Sequence, residues 1–316
     1  MVNVLVIGAT GYIGQALSQS LVRSGSHRVY GLARTPEKAQ SLTKDEVIPI
    51  LGSISDSAEL IRSIDALHIN VVVDVATPDA ESHVLLDLLK AIGKNRIATH
   101  GLKLGFIYTS GTWVHGSSNA QVNDLTPVAQ PNSPTPPAKL VAWRTKVEEE
   151  VLAASDVLDV MIIRPALVYG RSNAIWTSLL QPIHAAVQTN ASTVSVAAKP
   201  DSRPGLVHVD DVGLGLHCAV EKLPLISGTG VYPVFDLQTS QENMKDILEA
   251  AAKEFGFKGQ VNLAGVGDDL FADAMSTSAN ICSGRAKTIL GWKPKRFGFV
   301  GQMDVSARAW AANAKL

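Results

Sequence analysis

The chain opens on Val2–Ile7, a short run of almost continuous apolar residues rich in β-branched side chains. Such a run suits a strand buried on both faces of a parallel sheet. Comparable runs at His27–Arg34, Val47–Leu51, Val71–Ala76, Gly105–Ser110 and Val157–Arg164 predict five further strands, the last ending at Pro165. Helical segments fall between them: Gln15–Ser24, Ser57–Ile64 behind a Ser55-Asp56 cap, His83–Lys90 and Lys139–Ala154. In Lys139–Ala154, Trp143, Val147 and Val151 recur at four-residue steps and should face the core. Arg144–Glu148 and Lys146–Glu150 have the spacing of ion pairs along the same helix. The proline-rich stretch Asn123–Pro137 blocks helix and ladder alike and predicts a surface loop. Further helices are expected at Ile175–Thr189, Val212–Val220, Glu242–Phe255, Gly284–Leu290 and Asp304–Asn313. The alternation predicts an α/β fold with a doubly wound parallel sheet of the Rossmann kind. A dinucleotide-binding domain is expected over residues 1–170, with 207–235 returning to it, and a smaller C-terminal α/β substrate lobe over 171–316.

Gly8-Ala-Thr-Gly11-Tyr-Ile-Gly14 joins the first strand to the first helix. Glycines alone also mark ordinary turns. Between a strand and a helix they make a cradle for a pyrophosphate. Gly8 permits the tight turn, Gly11 clears the phosphate approach, and Gly14 lets helix and strand pack closely. The helix N-terminus then offers its free N–H groups to the anion. At the end of the second strand, where an acidic residue bonds the ribose of NAD, the sequence reads Ala33-Arg34-Thr35. Arg34 could pair with a 2′-phosphate through its planar fork, or be a solvated loop charge. NADP is therefore expected, with NAD as the alternative.

Composition narrows the partners. The chain has 316 residues, 46% of them hydrophobic and 18% charged, with a net charge of -1. That balance, with no basic block, argues against nucleic acid or a membrane surface. No apolar run reaches the ~20 residues that span a bilayer. Cys218 and Cys282 cannot build a disulfide framework or a zinc cluster and are expected to be reduced and buried. Without a basic, cleavable leader before the first strand, a cytoplasmic protein is expected.

Several motifs in order resemble those of the extended short-chain dehydrogenase/reductase family, which includes sugar-nucleotide epimerases and dihydroflavonol-type reductases. They are the glycine loop, Tyr108-Thr-Ser-Gly-Thr-Trp-Val-His-Gly116, Arg164-Pro-Ala-Leu-Val-Tyr-Gly170, Val207-His-Val-Asp-Asp-Val212 and Leu290-Gly-Trp-Lys-Pro294. The resemblance implies nicotinamide chemistry at a carbonyl or carbinol. It places Gly8, Thr10, Gly11, Tyr12, Ile13, Gly14, Arg34, Ala76, Lys146, Pro165 and Val168 around the cofactor. It also implies a Tyr-x-x-x-Lys pair that transfers the proton, beside a serine or threonine that bonds the substrate oxygen. Lys146 fills the lysine slot, but Ala142 stands where the tyrosine belongs, and the hydroxyl slot falls on Ser110, Gly111 or Thr112. Catalysis is therefore assigned to Lys146, Thr112 and Ser110, with Lys146 itself able to act as acid or base if burial lowers its pKa. Its alternative is an exposed lysine paired with Glu150.

Other candidates carry a structural reading beside the functional one. His115 could shuttle protons or simply be a hydrogen-bonded packing residue. Tyr108 is expected in the strand and Tyr169 on the substrate-lobe side as structure. Trp113 and Trp176 could line a pocket or the core, and Arg203 could clamp an acidic group or sit in a surface loop. His208 with Asp210 and Asp211 brings a metal to mind, but Asp210 or Asp211 is expected to cap the helix Val212–Val220, and no metal is expected. The sequence thus predicts an NADP-dependent oxidoreductase for a small carbonyl or hydroxyl compound. An epimerase or dehydratase, and a non-catalytic NADP-binding sensor, are the alternatives. The resemblance also suggests a homodimer.

Overall fold

The structure, a computed structural model, describes residues 1–75 and 79–314. The elements run β1 (Val2–Ile7), α1 (Tyr12–Ser24), β2 (His27–Ala33), α2 (Pro36–Lys44), β3 (Ile48–Leu51), α3 (Ser57–Ala66), β4 (Val71–Asp74), α4 (Asp79–Ala98) and β5 (Leu104–Thr109). They continue with β6 (Ser118–Asn123), α5 (Arg144–Ala153), β7 (Leu158–Pro165), β8 (Leu167–Tyr169), α6 (Thr177–Gln188), β9 (Thr193–Val196), β10 (Gly205–His208) and α7 (Val209–Ile226). The chain closes with β11 (Val234–Leu237), β12 (Ser240–Gln241), α8 (Met244–Phe255), β13 (Gln260–Leu263), α9 (Leu270–Met275), β14 (Ala279–Cys282) and α10 (Met303–Ala314).

Among the described residues seven strands make one sheet in the order β11-β7-β5-β4-β1-β2-β3, every pair parallel. The order reverses between β1 and β4, and it is at such a switch point that a ligand crevice opens. Alternate residues of β1 feed opposite faces. Val4 and Val6 join the core under α1 and α7, and Leu5 and Ile7 the core under α3, α4 and α5. The seventh strand, β11, was not expected from the pattern. It is a four-residue strand, added only after α7 has crossed the sheet.

A third core holds Tyr169, Trp176, Leu180, Met244, Phe299 and Trp310, built from β8, α6, α8 and α10. Residues after 236 do not all belong to it: Ala286, Leu290 and Trp292 pack back into the core under α1 and α7. Among the described residues there are three further small sheets, β12-β10-β8, β13-β9 and β14-β6, and most of these strands are too short to show a period in the sequence. Cys282 is exposed rather than buried, because β14 alternates inward Ala279 and Ile281 with outward Asn280 and Cys282. Cys218 is partly buried. Among the described residues no helix is long and apolar enough to cross a membrane.

The junction of β1 and α1 leaves no room for side chains. A Cβ on Gly14 would lie 2.0 Å from the Gly8 carbonyl oxygen and 2.9 Å from the Ala9 Cα. These are backbone atoms, so relief requires moving the helix. Gly14→Ala is expected to cost on the order of 3 kcal/mol, at the upper end for overpacking, and to lower Tm by several degrees in a thermal melt. An unchanged Tm would show that the junction is not the rigid contact described here.

Candidate active site

Gly8 takes a left-handed φ of 84° and its carbonyl accepts from the Gly11 N–H at 2.8 Å, which closes the turn. No side chain caps α1 at Gly11, so the first N–H groups of the helix face the crevice uncovered. That is the arrangement a pyrophosphate needs. The Tyr12 hydroxyl donates to the Gly170 carbonyl at 2.6 Å and so ties the loop to the end of β8. Burial raises the Tyr12 phenol far above its ordinary range, which makes it a fixed donor rather than a proton carrier.

Two cavities meet this loop. The outer one, about 210 Å³, is lined by Ile7, Gly8, Thr10, Gly11, Leu32, Arg34, Lys38, Ile54 and Glu81. Arg34 is mostly exposed and lies 3.7 Å from the Glu81 carboxylate. Thr35 caps α2 by accepting from the Lys38 N–H, which seats Lys38 one turn beyond Arg34. The inner cavity, about 120 Å³, is lined by Ile13, Ser110, Gly111, Thr112, Trp113, Val141, Arg144, Pro165, Ala166, Leu167, Val168 and Ile175. Of the cofactor residues expected from the sequence, Gly8, Thr10, Gly11 and Arg34 line the outer cavity and Ile13, Pro165 and Val168 the inner one; Gly14 is buried behind the loop, and Tyr12 and Lys146 line neither. Ala76 lies outside the described residues.

Ser110 and Thr112 are buried at the end of β5 and in the 3-10 turn Thr112–His115. The Ser110 hydroxyl and the Arg144 Nε have no hydrogen-bond partner among the described residues. Arg144 Nη1 donates to the Thr109 carbonyl at 3.4 Å, and its guanidinium packs 5.2 Å from the Trp143 ring centroid. Buried polar groups left open in this way are available to a ligand.

Lys146 is not among the lining residues of either cavity. Its side chain is 75% exposed and its ammonium lies 4.0 Å from Glu150, so the structure has the exposed, paired arrangement. Arg144 takes the inward place because its expected partner is engaged elsewhere. Glu148 is held by Arg164 through a bidentate pair at 3.0 and 2.5 Å. Burial opposes the Arg164 charge, yet Glu148 beside it keeps the guanidinium protonated above its usual range. Ala142 sits exposed in the turn after the 3-10 segment Lys139–Val141, so the expected single helix begins only at Arg144. Arg144, Lys38 and Glu81 were missed from the sequence: a charge two residues before Lys146, or on a helix face, has no motif to mark it.

The remaining candidates settle into structure. His115 is buried and bonded through Nε2 to Asp236 at 2.9 Å. Tyr108 is buried in β5, and Tyr169 stacks on Phe299 in the third core. Trp176 is buried there too, donating to the Val168 carbonyl, whereas Trp113 lines the inner cavity. Arg203 is exposed and lines neither cavity. His208, not Asp210 or Asp211, caps α7 by accepting from the Asp210 N–H at 3.1 Å. Asp211 accepts instead from the Lys295 and Arg296 N–H groups, and Asp210 pairs with Arg171.

Residues 4–232 match the model of the NAD dependent epimerase/dehydratase family. The chain belongs to that family. Its fold is also that of solved structures of low identity. It covers 100% of this chain and 98% of dTDP-glucose 4,6-dehydratase from Bacillus anthracis, solved with NAD, at a TM-score of 0.75 and 15% identity. It is similar to UDP-glucuronic acid 4-epimerase from Bacillus cereus, solved with UDP-glucuronic acid and NAD, over 98% of this chain and 99% of that one (TM-score 0.72, 18% identity). UDP-glucose 4-epimerase from Thermotoga maritima, solved with UDP-glucose, matches over 99% of both chains (TM-score 0.73, 18% identity). Over 184 residues the chain is 29% identical to the uncharacterized protein y4nG of Sinorhizobium fredii, which covers 54% of this chain and 43% of that protein. The chain therefore matches less than half the length of that relative.

For this member of the epimerase/dehydratase family the cap at His208 carries a pH signature. Burial pushes the His208 ring down to about 4 from the usual 6.5, even with Asp210 nearby. The unfolded chain therefore takes up the proton first. This contribution to stability is intact above about pH 6.5 and is lost as pH falls towards 4. His208→Asn keeps a capping acceptor without the titration, so the drop in Tm across that window is expected to flatten relative to the wild type. Parallel Tm curves for the two proteins would refute the assignment.

Proposed function

We propose that the chain is an NADP-dependent oxidoreductase acting on a small carbonyl or hydroxyl compound. The observation that carries the reading is the convergence of the open Ser110 hydroxyl and Arg144 Nε on one small cavity beside the glycine loop. The cofactor fits the residues present: an uncapped helix N-terminus for the pyrophosphate, and Arg34 with Lys38 where a 2′-phosphate would lie. When bound it would supply hydride transfer. Ile13, Pro165 and Val168 would hold its reactive end in an apolar setting.

Ser110 and Thr112 donate hydrogen bonds to the substrate oxygen, and Arg144 stabilises negative charge growing on it. Arginine stays protonated in proteins and cannot exchange the proton. The proton therefore passes through the hydroxyls from solvent, in place of the phenol that Ala142 lacks. The walls of Trp113, Val141, Leu167 and Ile175 favour a compact substrate with an apolar body.

A second reading, sugar-nucleotide epimerisation or dehydration, rests on the near-complete coverage of the solved structures named for it. There the hydride returns to the substrate, with no net consumption of cofactor. The two readings separate in one screen. Aldehydes and ketones that consume NADPH absorbance support the first; conversion of UDP- or dTDP-sugars at constant absorbance supports the second. Cofactor binding without turnover across both panels would point to a sensor.

Two substitutions follow. Arg34→Ala removes a charge-assisted contact worth about 1.5–3 kcal/mol, so Kd for NADPH should rise roughly 10–100-fold while Kd for NADH stays within about twofold. Equal weakening of both would remove the case for NADP. Arg144→Met should lower kcat/KM by about 100-fold or more, as for loss of one oxyanion donor, with Lys146→Ala within about threefold of wild type. The reverse ranking would return the chemistry to Lys146.

A further inference from the structure

His27 opens β2, while His217 and Glu221 stand four residues apart on one face of α7. The three meet where α7 packs beside the turn between α1 and β2. His27 and His217 are buried at the side chain, 4% and 11% exposed, whereas Glu221 is 52% exposed and opens to solvent. The imidazole rings meet edge to face at 5.3 Å. Glu221 Oε1 lies 3.7 Å from His27 Nε2 and 3.6 Å from His217 Nε2, and the three ligand atoms all lie within 4.8 Å of one another.

These gaps are too long for hydrogen bonds. They are close to the separation of about 3.3 Å between ligands that share a tetrahedral ion at zinc bond lengths. Neither ring nitrogen of His27, nor Nε2 of His217, has a hydrogen-bond partner among the described residues. A buried histidine with both nitrogens unpaired is costly unless something else completes it. The ring of His217 is already oriented: its Nδ1 lies 2.9 Å from Ser20 Oγ on α1. With Nδ1–H donating to that hydroxyl, the Nε2 lone pair points at the cluster, the usual support for a ligating histidine.

We propose that His27, His217 and Glu221 bind one zinc ion, with water in the fourth position. Two imidazoles and a carboxylate suit zinc, and the exposed carboxylate gives it a way in. The site lies at the starting end of β2, opposite the strand ends that carry the glycine loop, so it fastens α7 to the α1–β2 corner and takes no part in hydride transfer. It stands independently of the function proposed above.

The test uses the full chain freed of metal with a chelator. Calorimetric titration with Zn²⁺ should show one equivalent bound and a rise in Tm at saturation. Co²⁺ should give visible d–d bands of tetrahedral character. Glu221→Gln and His217→Gln, both checked for folding by circular dichroism, should each weaken binding by more than about tenfold, the least expected on losing even an outer partner. Ser20→Ala should weaken it by about tenfold through the lost orientation of His217. No uptake by the wild type, or equal uptake by the Glu221 and His217 variants, would overturn the proposal.

Discussion

The contact on which the structure turns is backbone against backbone: Gly14 of α1 resting on the carbonyl of Gly8. It fixes the angle at which the first helix leaves the first strand. That angle aims the uncapped end of α1 across the switch point between β1 and β4, where the sheet order reverses. The position of both cavities follows from it. The same helix then packs against α7, where a Cβ at Gly213 would meet the Ala16 backbone at 2.7 Å. A second small residue thus lets α7 lie close, and α7 in turn delivers β11 to the edge of the sheet.

A second constraint is electrostatic and lies at that edge. Arg164 of β7 joins Glu148 of α5 and approaches Asp236 of β11 at 3.8 Å; Asp236 in turn holds His115. Asp124 bonds the Asp236 N–H at 3.4 Å and pairs with Arg285 at 2.9 Å. Burial raises the Asp124 carboxyl despite that arginine. Breaking a buried pair leaves an uncompensated charge, so each member holds the others in place. The network joins α5, β7, β11, the 3-10 turn after β5 and the loop before α5. Its consequence for the site is indirect. By occupying Glu148 it leaves Arg144 without a partner on its own helix, and Arg144 turns inward.

The fold was legible because its information is local and periodic. A buried parallel strand needs a continuous apolar run, and β1, β4, β5 and β7 each show one. The glycine loop is legible for a similar reason, since only glycine fits a left-handed turn and two backbone contacts. The smaller sheets were not legible. A strand of four residues such as β9 or β13 pairs with a segment far along the chain, and its own sequence carries no period. Helix limits shifted for the same reason. α7 begins at Val209 because His208 can reach the Asp210 N–H, a matter of side-chain geometry rather than residue type.

The site divides along the same line. By itself the sequence determined the strand-loop-helix cradle, the basic residue after β2, the hydroxyls closing β5 and the absence of a tyrosine before Lys146. Each is a residue whose own chemistry, or whose nearest neighbours, defines its part. Only the tertiary structure decided between Arg144 and Lys146, brought Glu81 opposite Arg34, and gathered His27, His217 and Glu221 into one cluster. Those outcomes depend on which distant group has already claimed a charge or a face. Partners separated by many residues are chosen by packing, and packing is a property of the folded chain rather than of any stretch of it.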